Sequence, residues 1–170
     1  GRLICGGNLI RGYAHTRGSV FVSSLLKDYF SEERIFGLLE QCEEQGIDTV
    51  VTNVSTDRGD MEITRILGRY WDERRGKIHW IAQCQLASPD DMETVQIAVD
   101  RGAVGAFLMG VLADRWTKNQ CIDRIGRVVD FFRKNGLIAG VAGHLLCVPM
   151  ECEKAGVNPL EHKLDVVGVE

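Results

Sequence analysis

A short apolar strand, a polar loop and an amphipathic helix that ends at a glycine recur along this chain of 170 residues. Short apolar runs bounded by turn residues are typical of strands, and apolar residues three and four positions apart are typical of helices. These patterns predict strands over 3–10, 48–53, 78–83, 104–109 and 137–142. They predict helices over 20–30, 32–45, 60–74, 88–102, 117–135 and 149–155.

The alternation of strands and helices predicts an α/β fold with a parallel sheet covered by helices. Five or six such units would form a partial TIM-type (β/α)8 barrel, since a whole barrel needs about 250 residues. The alternative is an open doubly wound sheet, which is complete at this length. No Gly-rich phosphate loop follows a predicted strand, which weakens a nucleotide-binding open sheet. We expect one (β/α) domain over 1–159 and assign no structure to the tail at 160–170.

Residues typical of helix ends support these boundaries. A glycine after a helix commonly takes the left-handed conformation that ends it, and a small polar side chain commonly caps its start. The predicted terminating glycines are Gly46, Gly76, Gly102, Gly136 and Gly156. The predicted capping residues are Ser31, Asp57, Asp60, Ser88 and Thr117.

Composition excludes several classes of function. The net charge of -4 and the dispersed Lys and Arg residues give no electrostatic reason to expect a nucleic acid or an anionic membrane as a partner. Six cysteines occur without a C-x-x-C pair, which argues against a zinc knuckle or a thioredoxin-type redox site. Reduced thiols predict a cytoplasmic protein. No apolar run is long enough to span a membrane.

Short motifs occur in the order found in a known barrel family. They comprise first-strand glycines, a second unit with a conspicuous Leu-Gly pair in its helix, and the apolar middles of three later strands. The matching residues are Gly6-Gly7-Asn8, Gly46-Ile47-Asp48 with Glu62 and Leu67-Gly68, Ile81-Ala82, Phe107-Leu108-Met109 and Gly140-Val141. From residue 3 to about residue 146 the chain thereby resembles the first five units of an aldo/keto reductase barrel. The resemblance implies a (β/α)8-type fold.

The catalytic residues of that family are missing from the matching positions. The family uses an Asp, a Tyr, a Lys and a His around the substrate carbonyl, and the positions that match them hold Val51, Thr56, Cys84 and Gly110. The family's Ser-Asn pair, which holds the nicotinamide, falls on Ala142-Gly143. Because valine and glycine side chains cannot transfer protons, reduction by that mechanism is excluded. The sequence identifies no cofactor, and a reductase with relocated residues is the third alternative.

Candidate site residues lie where the predicted strands end, because parallel α/β folds place their active sites there. His144 is the candidate general base and His15 its candidate partner; a pair of histidines without a placed carboxylate is too few ligands for a metal site. Amide side chains at the other strand ends suit hydrogen bonding to hydroxyls and carbonyls. These candidate substrate-binding residues are Asn8, Asn53, Gln83 and Gln85. Cys84 is interpreted as buried packing rather than as a reactive thiol.

Two functional hypotheses follow from these residues. The first is an aldo/keto reductase-like barrel that lost its reductase residues and acts as a lyase, isomerase or hydrolase on a small oxygenated, sugar-like substrate. The alternative is a non-catalytic barrel fragment that binds a small-molecule ligand or a partner. Because a partial barrel exposes sheet edges, a homo-oligomer that covers them is a further expectation.

Overall fold

The computed structural model describes residues 3–14, 20–88 and 90–157. Five strands form one open, all-parallel sheet in the order β1-β2-β3-β4-β5. They are β1 (Cys5–Gly6), β2 (Thr49–Val54), β3 (His79–Cys84), β4 (Gly105–Leu108) and β5 (Ile138–Val141). The described helices are α1 (Val20–Tyr29), α2 (Glu32–Glu44), α3 (Arg58–Arg74), α4 (Glu93–Asp100), α5 (Gly110–Lys118), α6 (Ile122–Lys134) and α7 (Cys147–Lys154). The predicted parallel α/β fold is confirmed.

Strand order follows chain order throughout the sheet. Successive strands of a (β/α)8 barrel have this order, whereas a doubly wound sheet reverses its order at a switch point. The chain divides into two compact units, Gly1–Trp80 and Ile81–Glu170. A single domain over 1–159 stays a prediction. No described helix is both long enough and apolar enough to cross a bilayer.

The first unit is built on β2, whose side chains alternate between a buried and a half-buried face. Val50 and Val54 are completely buried, and the hydroxyl of Thr52 between them accepts a hydrogen bond of 2.8 Å from Trp80 Nε1. The helices add the rest of the core through residues at helical spacing. These are Ile35, Phe36 and Leu39 of α2, with Ile63, Leu67 and Tyr70 of α3.

The second unit is built on β4 and α6. Ala106 and Leu108 of β4 are buried, as are four residues of α6 at the spacing of one helix face. Those four residues are Ile125, Val128, Val129 and Phe132. The apolar spacing predicted this face correctly.

The prediction of a buried first strand over 3–10 is wrong. Only Cys5 and Gly6 form a strand, and Leu3 and Leu9 are 66% and 56% exposed. The chain turns immediately afterwards, with the Arg11 N–H bonded to the Gly7 carbonyl. Among the described residues β1 is the edge strand of the sheet and pairs with β2 alone, so no second described strand covers the apolar residues beside it.

The helix predicted over 117–135 corresponds to α6, which begins only at Ile122, and residues 117–118 are the end of a separate helix, α5. Gln120 has a φ of 57°, and this left-handed residue interrupts the helix between them. Thr117 is therefore wrong as a helix cap, since it is buried inside α5. The apolar face of α5 begins earlier, with the buried residues Ala113 and Trp116.

Other helix ends differ from the sequence prediction in detail. Helix α4 begins at Glu93 rather than at Ser88, and the carboxylate of Asp91 accepts the Glu93 N–H at 3.0 Å. Ser31 occupies the N-cap position of α2, but its side chain makes no capping bond. At the end of α3 the left-handed residue is Arg75 and not Gly76. Gly76 instead allows a close approach, since a Cβ there would lie 2.0 Å from Tyr70 Cε1.

Candidate functional site

His144 lies just beyond the carboxyl end of β5 and pairs with an aspartate. Its Nδ1 is 2.6 Å from Asp114 Oδ2, and the His144 side chain is 40% exposed. Because an ionised carboxylate only accepts hydrogen bonds, the shared hydrogen is carried by Nδ1. Nε2 is then the ring nitrogen with the basic lone pair. This arrangement orients an imidazole for proton transfer at the strand end that the sequence indicated.

Asp114 lies in α5, the helix that directly follows β4, and the sequence prediction missed it. Its Oδ1 accepts the backbone N–H groups of His144 and Leu145 at 3.0 and 3.3 Å. Asp114 therefore fixes both the ring and the backbone of the segment after β5. The spacing of Leu112 and Trp116 indicates a helix here, and an acidic residue one turn into such a helix was the available signal.

A glycine makes room for the imidazole. A Cβ at Gly110 would lie 3.1 Å from His144 Cε1 and 3.3 Å from Nδ1. Gly110 is the position at which the resemblance expects the reductase histidine. The chain thus has no imidazole at the end of β4, and the ring of His144 lies next to Gly110 instead.

The amides lie on or near the strands as predicted, but their roles stay predictions. In the second unit Gln83 is half-buried in β3 opposite Phe107 of β4, and Gln85 is exposed just after β3. Within the described residues, no hydrogen bond joins either glutamine to His144. In the first unit Asn8 follows β1 half-buried, and Asn53 lies on the half-buried face of β2.

The remaining predicted group, His15, lies outside the described residues. Among the residues that the structure does describe, no group of three or more His, Cys, Asp or Glu side chains could hold a metal ion.

A second polar cluster, in the first unit, surrounds Asp60. Asp60 is 1% exposed and accepts hydrogen bonds from Arg11 Nε and from the hydroxyl of Ser55. Arg11 Nη2 also bonds Asp57 Oδ1 at 3.1 Å. Asp57 caps α3 as predicted, with Oδ1 accepting the Gly59 N–H at 2.9 Å. Asp60 is wrong as a predicted cap, because both of its oxygens bond Arg11 and Ser55 instead.

Cys84 is packed in the core, which confirms the interpretation of it as a buried residue. Its side chain is fully buried, and burial raises the pKa of its thiol from 9.0 to about 12. The Cys84 thiol ionises at a lower pH in the unfolded chain than in the folded protein. Below about pH 9 it is neutral in both states, so its full contribution to the free energy of unfolding is present there. It is lost as the pH rises toward the folded pKa, by about 1.4 kcal/mol per pH unit.

We expect this loss to appear in urea unfolding measured under reducing conditions between about pH 9.5 and about pH 10.5. The free energy of unfolding of the wild-type chain should fall about 1 kcal/mol further than that of Cys84→Ala over this interval. The alanine variant removes the titrating group and keeps every other thiol, so it is the matched control. Parallel pH profiles of the two proteins would contradict the assignment.

Comparisons with protein-family models, with curated proteins and with solved structures found no match to this chain. The parallel α/β fold is therefore shown by the structure alone, and the aldo/keto reductase resemblance stays a prediction.

Proposed function

We propose that this chain is a barrel-type enzyme in which His144, held by Asp114, acts as a general base on a small oxygenated substrate. The observation that carries the proposal is the 2.6 Å contact between His144 Nδ1 and Asp114 Oδ2 at the carboxyl end of β5. Parallel α/β enzymes bind their substrates at this end of the sheet. The aldo/keto reductase-like, partial (β/α)8 architecture is part of the proposal, and the sequential strand order supports it.

The pair supports proton abstraction or the activation of water. With its Nδ1 hydrogen donated to Asp114, the imidazole accepts a proton at Nε2, and the carboxylate stabilises the imidazolium that results. A lyase or isomerase would use this base on a carbon acid next to a carbonyl, and a hydrolase would use it on water. In the second unit, which contains His144, the amides of Gln83 and Gln85 are the proposed hydrogen-bond partners of substrate oxygens. In the first unit, Asn8 and Asn53 are the proposed substrate-binding amides.

The test is proton exchange catalysed by the full chain in D2O. Glycolaldehyde, glyceraldehyde, dihydroxyacetone and malate serve as probes, and 1H NMR follows the loss of protons next to the carbonyl and the appearance of products. We expect exchange with at least one probe, and we expect His144→Asn to slow it by about 10²- to 10⁴-fold. His79→Asn is the matched control, because His79 is an exposed imidazole on β3. Equal rates in the two variants would contradict the proposal.

The second candidate is a non-catalytic ligand-binding or interaction protein. It is favoured by the bonds from the backbone N–H groups of His144 and Leu145 to Asp114 Oδ1, since these bonds hold the loop whether or not the ring reacts. In that case Asp114→Asn would lower the melting temperature, and no probe would exchange in the wild-type chain. If the chain were a reductase with relocated residues, NADPH would raise the melting temperature.

A further inference from the structure

The first unit contains a cleft that the proposed chemistry at His144 does not use. It has a volume of about 570 Å³ and lies among α1, α2, α3 and the segment that follows β1. A volume of this size is typical of small-molecule sites, which are mostly apolar with a few placed polar groups. The side chains that line the cleft therefore indicate which kind of ligand fits it.

The floor of the cleft is apolar. Four isoleucines from three different segments form it, and each is buried by the surrounding structure. They are Ile10, Ile35, Ile63 and Ile66, with the half-buried ring of Phe30 beside them. Such a floor favours a hydrocarbon chain or ring, because burying apolar surface there removes it from water.

The acidic residues of the lining are already paired with arginines outside it. Arg65 Nη2 lies 2.7 Å from both Glu32 Oε2 and Glu62 Oε1, and Arg69 also bonds Glu32. The hydrogen bond from Arg65 lowers the pKa of Glu62, which keeps that carboxylate ionised and held in place. These acids therefore attract a cationic ligand less than unpaired carboxylates would, although they still add negative charge to the cleft.

The basic residues of the lining are paired less completely. Arg11 is engaged by Asp57 and Asp60. Lys27 and Arg58 line the cleft as exposed side chains, and within the described part of the chain neither forms an ion pair. Arg58 is nevertheless near enough to Glu62 for its charge to help lower the pKa of that carboxyl. The cleft therefore presents an apolar floor together with two exposed cations, neither of which is at ion-pair distance from a carboxylate of the described residues.

We propose that this cleft binds a small monocarboxylate with an apolar chain or ring. The apolar body lies on the isoleucine floor, and the carboxylate is held by Lys27 and by the planar guanidinium of Arg58, whose fork matches carboxylate geometry. A single negative charge fits better than two, because the ionised Glu32 and Glu62 border the same cleft. The site is independent of His144, so a failure of either proposal leaves the other standing.

Isothermal titration of the full chain with sodium octanoate tests the proposal, with 1-octanol and octyl phosphate as the comparison probes. We expect saturable binding of octanoate at one site, about 10-fold or more tighter than that of the alcohol. The double variant Lys27→Ala/Arg58→Ala should weaken octanoate about 5- to 30-fold and leave octanol unchanged. Arg101→Ala/Lys118→Ala removes the same charge from exposed positions in the second unit, and it should leave octanoate binding as in the wild type.

Three outcomes would overturn the proposal. One is the absence of saturable octanoate binding to the folded wild-type chain. Another is an equal loss of affinity in the two double variants, which would assign the effect to net charge alone. The third is tighter binding of octyl phosphate than of octanoate, which would contradict the choice of a monoanionic headgroup. Thermal melts of both variants confirm folding before titration, since all four substituted side chains are exposed.

Discussion

Trp80→Ala should destabilise the protein by about 5 kcal/mol, the largest loss that we expect from a single truncation. Trp80 is completely buried, and it is the largest fully buried side chain in the described residues. Truncation of a buried tryptophan removes its apolar contacts and leaves a cavity, which together account for about 3–5 kcal/mol. The change also removes the donor to the buried hydroxyl of Thr52, at about 1 kcal/mol more. Urea unfolding followed by circular dichroism measures the loss.

Trp71→Ala is the matched control for Trp80→Ala. Trp71 is only half-buried, although its Nε1 also donates a hydrogen bond, to the Ile78 carbonyl at 3.0 Å. Its truncation should cost about half as much, because less of the ring is removed from water in the folded state. A loss at Trp80 no greater than that at Trp71 would contradict the account of the β2 core.

Asp60→Ala should destabilise the protein by about 3 kcal/mol, the second largest expected effect. Asp60 is 1% exposed, and its loss leaves Arg11 Nε and the Ser55 hydroxyl without their acceptor, while Arg11 Nη2 keeps its bond to Asp57. Breaking a fully buried pair costs about 3–5 kcal/mol, and the partial exposure of Arg11 places this case at the lower end. The measurement is again the free energy of unfolding in urea.

Two further variants separate the buried network from general charge effects. Asp57→Ala removes a neighbouring carboxylate that is 60% exposed and that caps α3, so about 1 kcal/mol is expected. Arg11→Met/Asp60→Ala removes both partners of the buried pair, and it should cost less than the sum of the two single variants. Strict additivity, or equal losses at Asp57 and Asp60, would contradict the network.

The sequence predicted most of the fold because its main signals are local. The apolar spacing of Ile125, Val128 and Phe132 is sufficient to place α6, since a helix repeats every 3.6 residues whatever packs against it. Gly46 and Gly136 do have positive φ angles, as helix-ending glycines usually do. Parallel pairing then follows from the alternation of strands and helices.

The errors occurred where non-local contacts decide the structure. Helix α5 begins at Gly110, directly after Met109, so no polar loop marks its boundary with β4. The spacing of Leu112 and Trp116 is the local signal of this helix. The strand predicted over 3–10 is apolar enough, but its extent depends on its edge position in the sheet. Asp60 was predicted as a helix cap because its actual partner, Arg11, lies 49 residues away in the chain, where no local pattern connects the two residues.

The candidate site was predicted in part for the same reason. The rule that active sites lie at the carboxyl ends of parallel strands identified His144. Asp114 lies 30 residues earlier, in a helix that was not predicted, so no local pattern could join the two side chains. The roles of Asn8, Asn53, Gln83 and Gln85 depend on a ligand and stay predictions.

The tautomer of His144 reports on the pairing of this imidazole with Asp114, and its measurement needs no substrate. Long-range 1H–15N NMR of the wild-type chain, recorded at a pH high enough for neutral imidazole, reports which ring nitrogen carries the hydrogen. We expect Nδ1 to be protonated and Nε2 to carry the lone pair in the wild-type chain, and we expect Asp114→Ala to remove this preference. A hydrogen on Nε2 in the wild-type chain, or an unchanged tautomer in Asp114→Ala, would contradict this pairing.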